Sequence, residues 1–265
     1  MAVSSAFRRK GNAYKLIMVK PESTEIRIVL VEAQGPLNVG SVARIMKNMG
    51  FYNLVLVNPQ CDPHGAEARK MAVHGVEILE RATIVQTLPE ALKGCQRAIA
   101  TTSLDRSLPT HLENPKNALP WLLGYSAALI FGREDRGLTN VELNYAQRFV
   151  RIESDDAYPS LNLAQSVAIC CYELYKAQLD RDNIPQSQPN PDSEASLDIL
   201  EAYYQDLETM LLKIGYLYPH TASSRMEKFR RLYNRAYPST QEVAMLRGMI
   251  RQINWALSNY DRDDS

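Results

Sequence analysis

The sequence predicts an α/β fold, a parallel sheet covered by helices, followed by a small all-helical appendix. Three observations lead there. Between residues 26 and 175, short runs rich in β-branched residues alternate with stretches whose apolar residues recur at the helical period. Four of the strand-like runs are followed by loops of high polar density, as in an open parallel sheet that binds ligands at its carboxyl edge. Beyond residue 196 the strand-like runs disappear and three helical stretches remain. With 265 residues, 45% of them apolar, the chain is long enough to bury a sizeable core.

The elements follow in order. Residues 1–24 are basic, with Arg8, Arg9, Lys10 and Lys15, and have no period; they read as a flexible arm. The run IRIVLV at 26–31 is a buried strand. Val39, Val42, Ile45, Met46 and Met49 then fall at helical spacing, with Asn38 where an N-cap belongs and Gly50 where a helix ends. Residues 54–57 are a second strand, 66–73 and 88–93 short helices, and 98–101, 126–131 and 149–152 further strands. Leu161, Ala164, Val167, Ala168, Cys171 and Leu174 restore the helical period. The pattern ends near Leu179, which closes a first domain at 25–179. The stretch DRDNIPQSQPNPDSEA, with three prolines among polar residues, reads as a linker over 180–196. Helices at about 197–212, 223–236 and 240–257 form the accessory domain 197–265.

Composition narrows the function. No apolar run approaches the roughly 18 residues of a membrane helix. No apolar signal core follows the basic N-terminus, and the four cysteines show no CxxC spacing, so a reduced, cytoplasmic protein is expected. Cys170 and Cys171 lie in an apolar helical stretch and read as buried thiols. The four histidines lack ligand spacing, so no metal is expected. Thirty basic and thirty acidic residues cancel, so any anion-binding surface must be local.

The polar segments are AQGPLNVGSVAR (33–44), TTSLDRS (101–107), GREDRGLT (132–139) and ESDDAYPSLN (153–162). GREDRGLT has the Gly-x4-Gly spacing of a P-loop, but Leu138 replaces the lysine that reaches phosphates. No GxGxxG turn is present either. What remains is a glycine-hinged loop whose backbone can approach a ligand closely. Its acids, Glu134 and Asp135, suit a cationic or neutral ligand better than an anion.

These residues also resemble a known family. Asn38-x-Gly40-x-x-Ala43-Arg44, then Phe131-Gly132-Arg133-Glu134 with Gly137, then Ser160-Leu161-Asn162-Leu163-Ala164 resemble the three motifs of the SpoU/TrmH branch of the SPOUT RNA methyltransferases. The likeness continues through KFRRLYNRAYPSTQEVAMLRGMI in the appendix. It points to members that methylate the ribose of cytidine or uridine 32 in the tRNA anticodon loop. It implies a C-terminal trefoil knot in the α/β domain, which departs from the usual avoidance of threaded chains. S-adenosyl-L-methionine would bind in the knot, and a homodimer would form the active site.

Carried over residue by residue, the resemblance assigns the cofactor to Thr101, Thr102, Ser103, Gly132, Gly137, Ile152, Pro159, Ser160 and Leu161. Pro159 stands where a serine is expected and has no N–H to donate. Arg44 matches the arginine beside the reactive hydroxyl; Asn38, Glu134, Ser160 and Asn162 match polar residues lining the site. Taken alone, Arg44 is a surface cation of a helix, and Ser160 and Asn162 are helix caps. A 2′-hydroxyl is a weak acid and needs help to react. Either Arg44 is an unusual base, or it holds RNA phosphate and orients the hydroxyl; guanidinium groups stay protonated in proteins, which favours the second. A stripe of Arg225, Lys228, Arg230, Arg231 and Arg235 in RMEKFRRLYNR is the local surface for RNA, or else the solvated face of a helix. The competing functions are a non-catalytic RNA-binding protein of this fold and a methyltransferase acting on ribosomal RNA.

Overall fold

The structure, a computed structural model, describes residues 26–102, 111–155, 157–182 and 194–263. The basic arm, Ser103 and most of the expected linker lie outside the described residues.

The chain runs β1 (Ile26–Val31), α1 (Pro36–Asn48), β2 (Asn53–Val57), α2 (Ala66–Ala72), α3 (Val76–Glu80), β3 (Thr83–Val85), α4 (Leu88–Leu92) and β4 (Arg97–Thr101). It continues through β5 (Leu112–Glu113), α5 (Pro115–Ala118), β6 (Ala127–Phe131), α6 (Asn140–Leu143), β7 (Arg148–Val150) and α7 (Leu163–Asp182). Three further helices follow, α8 (Leu197–Lys213), α9 (Ala222–Ala236) and α10 (Thr240–Asp263). The seven strands form one sheet in the order β3-β2-β1-β6-β4-β7-β5, and every pairing is parallel.

Side-chain alternation divides the core between the two faces of the sheet. Ile26, Ile28 and Leu30 of β1 join Val39, Val42 and Met46 of α1 and Val167, Cys170 and Leu174 of α7. Val29 and Val31 face the other way, with Leu88, Leu92, Leu138 and Leu143. Burial of each such aliphatic side chain contributes roughly 1.5–3 kcal/mol. A parallel sheet covered on both faces needs this near-continuous apolar run in its central strands. The thiols of Cys170 and Cys171 are fully buried. Burial pushes the Cys171 thiol up to about 12, so neither sulfur is placed to act as a nucleophile.

Helix α1 corrects one expectation. Its N-cap is Gly35 with Pro36 in the first helical position, so Asn38 lies inside the first turn and its side chain is free for other work. The left-handed Gly50 after α1 ends the helix as expected.

Helices α8 to α10 build their own core from Leu200, Tyr203, Leu207, Met226, Val243 and Ile250. They are also fastened to the sheet domain. Leu197 donates its N–H to Cys95 O at 2.7 Å, and Gly94 donates to Asp198 Oδ1 at 2.9 Å. The Arg97 Nε reaches Glu194 at 3.0 Å, while its guanidinium lies 3.3 Å from the centre of the Tyr125 ring. Residues 194–198 thus dock against the sheet rather than hanging loose from it. No helix among the described residues is long and apolar enough to cross a membrane.

Candidate functional site

The carboxyl ends of β1, β4, β6 and β7 are neighbours in the middle of the sheet, so the described parts of the four polar segments start from one edge; residues 103–107 of the second segment lie outside the described residues. The centrepiece is residues 132–137. Gly137 N–H donates to Arg133 O at 3.0 Å and closes the loop. A Cβ on Gly132 would lie 2.3 Å from the Gly137 carbonyl carbon and from Leu138 N. The glycine is therefore required by the loop's own backbone, which crosses itself there. That differs from the sequence-based expectation, which attributed it to ligand approach. Gly137 has φ +67°, a left-handed conformation that favours glycine.

Arg133 holds this loop from below. It is 7% exposed and sits between two carboxylates. Nη1 and Nη2 each donate to Glu142 at 2.9 Å, and Nε donates to Glu32 at 2.6 Å. The two ion pairs raise the Arg133 guanidinium above its ordinary range. The hydrogen bond from Arg133 lowers the Glu32 carboxyl. Burial alone would raise Glu142, but bonds from Arg133 and from Thr139 outweigh it and leave that carboxyl below the usual range. Sequence reading missed this cluster; its signal was an arginine among acids in a loop that follows a strand.

Glu134 points the other way and clasps the β1–α1 turn. Its carboxylate accepts from Gln34 N–H at 3.0 Å, from Gly35 N–H at 3.1 Å and from Asn38 Nδ2 at 3.1 Å. The Asn38 Oδ1 in turn accepts from Asn162 Nδ2 at 3.0 Å. Asn162 Oδ1 accepts the Ala164 N–H at 2.9 Å, which caps α7. One chain of hydrogen bonds thus joins three segments: Glu134, Asn38 and Asn162, then the start of α7. Of the motif residues, Arg44 stands apart. It lies six residues beyond Asn38 on α1, about 9 Å along the axis. It is exposed and has no acidic partner among the described residues.

Beside this chain opens a cavity of about 290 Å³. Its walls include Thr101, Thr102, Gly132, Gly137, Ile152, Pro159, Ser160 and Leu161, together with Glu134. Every described residue assigned to the cofactor by resemblance therefore lines one space. Ser103 lies outside the described residues. Phe131, Leu138, Val150, Leu163 and Ser166 also line it and were not singled out from the sequence. Among the described residues, no group of His, Cys, Asp and Glu is arranged to hold a metal ion.

The basic stripe on α9 is broken up. Arg225, Lys228 and Arg235 are exposed. Arg231 is bonded to Glu227 one turn earlier, at 3.3 Å. Arg230 is a correction: its side chain is only 16% exposed. It pairs with Glu201 of α8, with Nη2 at 2.8 Å, and stacks 4.6 Å from the centre of the Tyr204 ring. It is committed inside the appendix and to Tyr145 of the sheet domain, so it does not face solvent for a phosphate.

Comparison with known proteins agrees with this layout. Residues 25–172 match the family model of the SpoU rRNA methylase family, and residues 198–263 match that of the C-terminal domain of the tRNA methyltransferase TrmJ. The tRNA (cytidine/uridine/adenosine-2′-O-)-methyltransferase TrmJ of Pseudomonas aeruginosa is 40% identical over 239 residues, 86% of this chain and 93% of the relative. The tRNA (cytidine/uridine-2′-O-)-methyltransferase TrmJ of Klebsiella pneumoniae is 41% identical over 86% of this chain and 96% of its own length. The crystal structure of TrmJ from Z. mobilis superposes with a TM-score of 0.76 at 28% identity, covering 86% of this chain and 98% of that one.

Proposed function

Because the chain belongs to the SpoU methylase family and ends in a TrmJ-type C-terminal domain, we propose that it moves a methyl group from S-adenosyl-L-methionine to a ribose 2′-oxygen of tRNA. The observation that carries the reading is the cavity at the carboxyl ends of β4, β6 and β7, placed beside the Glu134–Asn38–Asn162 chain.

The cavity fits such a cofactor. Its volume is close to the roughly 300 Å³ at which small-molecule sites begin. Ile152, Leu161 and Leu163 offer apolar walls for a purine face. Thr101, Thr102 and the 132–137 loop offer hydroxyl and backbone groups. Glu134 and Asp135 line the cavity with Arg133 and Arg136, so its wall carries both charges and suits a zwitterionic ligand. When bound, the cofactor supplies an electrophilic methyl group on a sulfonium.

The chain's own residues do the positioning. Arg133 fixes the 132–137 loop, so the cavity floor is set before a ligand arrives. Glu134 and Asn38 hold the β1–α1 turn and with it the register of α1. Arg44, exposed on that helix and without an acidic partner among the described residues, would grip an RNA phosphate and orient the ribose hydroxyl. Holding two reactants in line accounts for much of the acceleration in such a transfer.

The finer parts of the proposal rest on the resemblance. The target is nucleotide 32 of the anticodon loop, a cytidine or uridine. The chain after β7 is threaded as a trefoil knot, and two copies pair in the cytoplasm. Ile169, Tyr172 and Leu179 on α7, with Leu37 on α1, remain exposed and would be covered by that pairing. Catalysis belongs to residues 25–179, and residues 197–265 bind RNA through Arg225, Lys228 and Arg235.

Two measurements test this. Calorimetric titration with S-adenosyl-L-methionine should show saturable binding, and titration with ATP should not. Mass spectrometry of tRNA treated with protein and cofactor should find one new ribose methyl group in the anticodon loop. No methyl transfer to any tRNA would overturn the proposal; transfer at another nucleotide would overturn only the position.

A further inference from the structure

The turn between α8 and α9 presents two half-exposed aromatic rings, Tyr216 resting on Phe229 of α9 with ring centres 6.4 Å apart and Tyr218 beside it. In KIGYLYPHTASSR, Tyr216 is 54% exposed and Tyr218 is 55% exposed, while Leu217 between them is 1% exposed. The buried leucine anchors the turn and the tyrosines flank it outward. The backbone is fixed: Leu217 N–H donates to Leu211 O at 3.0 Å, and Tyr218 O accepts from Thr221 N and Ala222 N at 2.9 Å each. Arg225 Nη1 donates to Tyr216 O at 3.1 Å, which leaves its guanidinium 5.9 Å from the centre of the Tyr216 ring. The rings of Tyr218 and His220 lie 23° from parallel with centres 6.0 Å apart.

Between Glu208 and Glu227 the charge along the chain has one sign. Residues 209–226 contain Lys213 and Arg225 and neither Asp nor Glu. Lys213, Arg225 and Lys228 are all exposed. Rigid, outward aromatic rings set among cations are what a protein offers to an unpaired nucleic-acid base. Every base has a π face to stack, and the cations meet the backbone phosphate. A protein partner would want a continuous apolar centre with a polar rim; here the exposed Ile214, Tyr216 and Tyr218 lie beside the exposed cations Lys213 and Arg225 instead.

We propose that Tyr216 and Tyr218, with His220 and Arg225, form a stacking platform for unpaired bases of the tRNA substrate. This rests on the tRNA reading above and adds to it a sequence-tolerant interaction made by rings rather than by charge. The platform rewards bases that are already unstacked, so it favours looped over duplex RNA.

The full-length protein tests it. Affinity for a tRNA transcript is measured as a function of salt for the wild type and for Tyr216→Ala, Tyr218→Ala, Tyr218→Phe and Tyr218→Lys, alongside methyl transfer and melting temperature. Each alanine variant should bind about fivefold or more weakly, the effect expected for removing one base stack. Tyr218→Phe should keep full affinity, because the ring remains. The salt slope should not change, since no cation is removed. Tyr218→Lys separates ring from charge: stacking predicts weaker binding, and a purely electrostatic surface predicts tighter binding, which would overturn the proposal. So would alanine variants that bind like a wild type that methylates tRNA, an outcome that leaves the tRNA reading intact. A wild type that neither binds nor methylates tRNA would overturn both.

Discussion

Arg44 shows how a single side chain can be separated from the machinery around it. It is exposed, makes no ion pair among the described residues and does not line the cavity. Its removal should therefore not disturb the loops that line the cavity. We expect Arg44→Ala to abolish methyl transfer while calorimetric affinity for S-adenosyl-L-methionine stays within about twofold, a change of less than roughly 0.5 kcal/mol. Arg44→Lys should not restore activity, because an ammonium cannot make the two parallel bonds of a guanidinium fork to phosphate. Substantial turnover in Arg44→Ala would remove the residue from the mechanism. Glu134 is the contrasting case. Its carboxylate anchors two backbone N–H groups and Asn38 and lines the cavity, so a substitution there would disturb the β1–α1 turn and the cavity together.

At the scale of elements, the 132–137 loop is the unit that matters. Gly132→Ala would place a carbon 2.3 Å from the backbone at Gly137 and Leu138, and neither atom is the end of a flexible side chain. The loop must open, so thermal stability and cofactor affinity should fall together, by at least about tenfold in affinity. The Arg133 cluster gives the same loop a pH dependence. Glu32 and Glu142 both have folded-state values below the ordinary 4.5. Their contribution is present above the unfolded value and is lost as pH falls through the lowered folded values. Acid denaturation followed by circular dichroism should therefore steepen below about pH 4.5, and Arg133→Met should flatten it. An unchanged acid limb in Arg133→Met would show that the cluster does not govern acid stability. Much of this element was legible beforehand, since two glycines around acids read as a hinged loop after a strand. The rest was not. β3 and β5, edge strands of three and two residues, are too short to show a period. The four-residue helices α5 and α6 are likewise set by tertiary packing and a capping box rather than by a repeat.

For the whole molecule, the question is which charges on the appendix hold it together and which are left for RNA. The sequence shows five cations at helical spacing and cannot tell them apart. What divides them is Glu201, about thirty residues away on α8, which takes Arg230, and Glu227, which takes Arg231. The two groups should behave differently on substitution. Arg230→Glu faces Glu201 with a like charge beneath Tyr204 and Tyr145, so it should cost about 3 kcal/mol and lower the melting temperature by several degrees. Any weakening of tRNA binding in that variant should track unfolding and recover with conditions that restore the fold. Replacing Arg225, Lys228 and Arg235 by Gln should leave the melting temperature nearly unchanged, because exposed cations contribute little to stability. It should instead weaken tRNA binding and reduce the slope of log affinity against log salt by roughly 2–3, about 0.7–0.9 for each phosphate no longer neutralised. An unchanged slope in the triple variant would mean that these three cations do not neutralise tRNA phosphate.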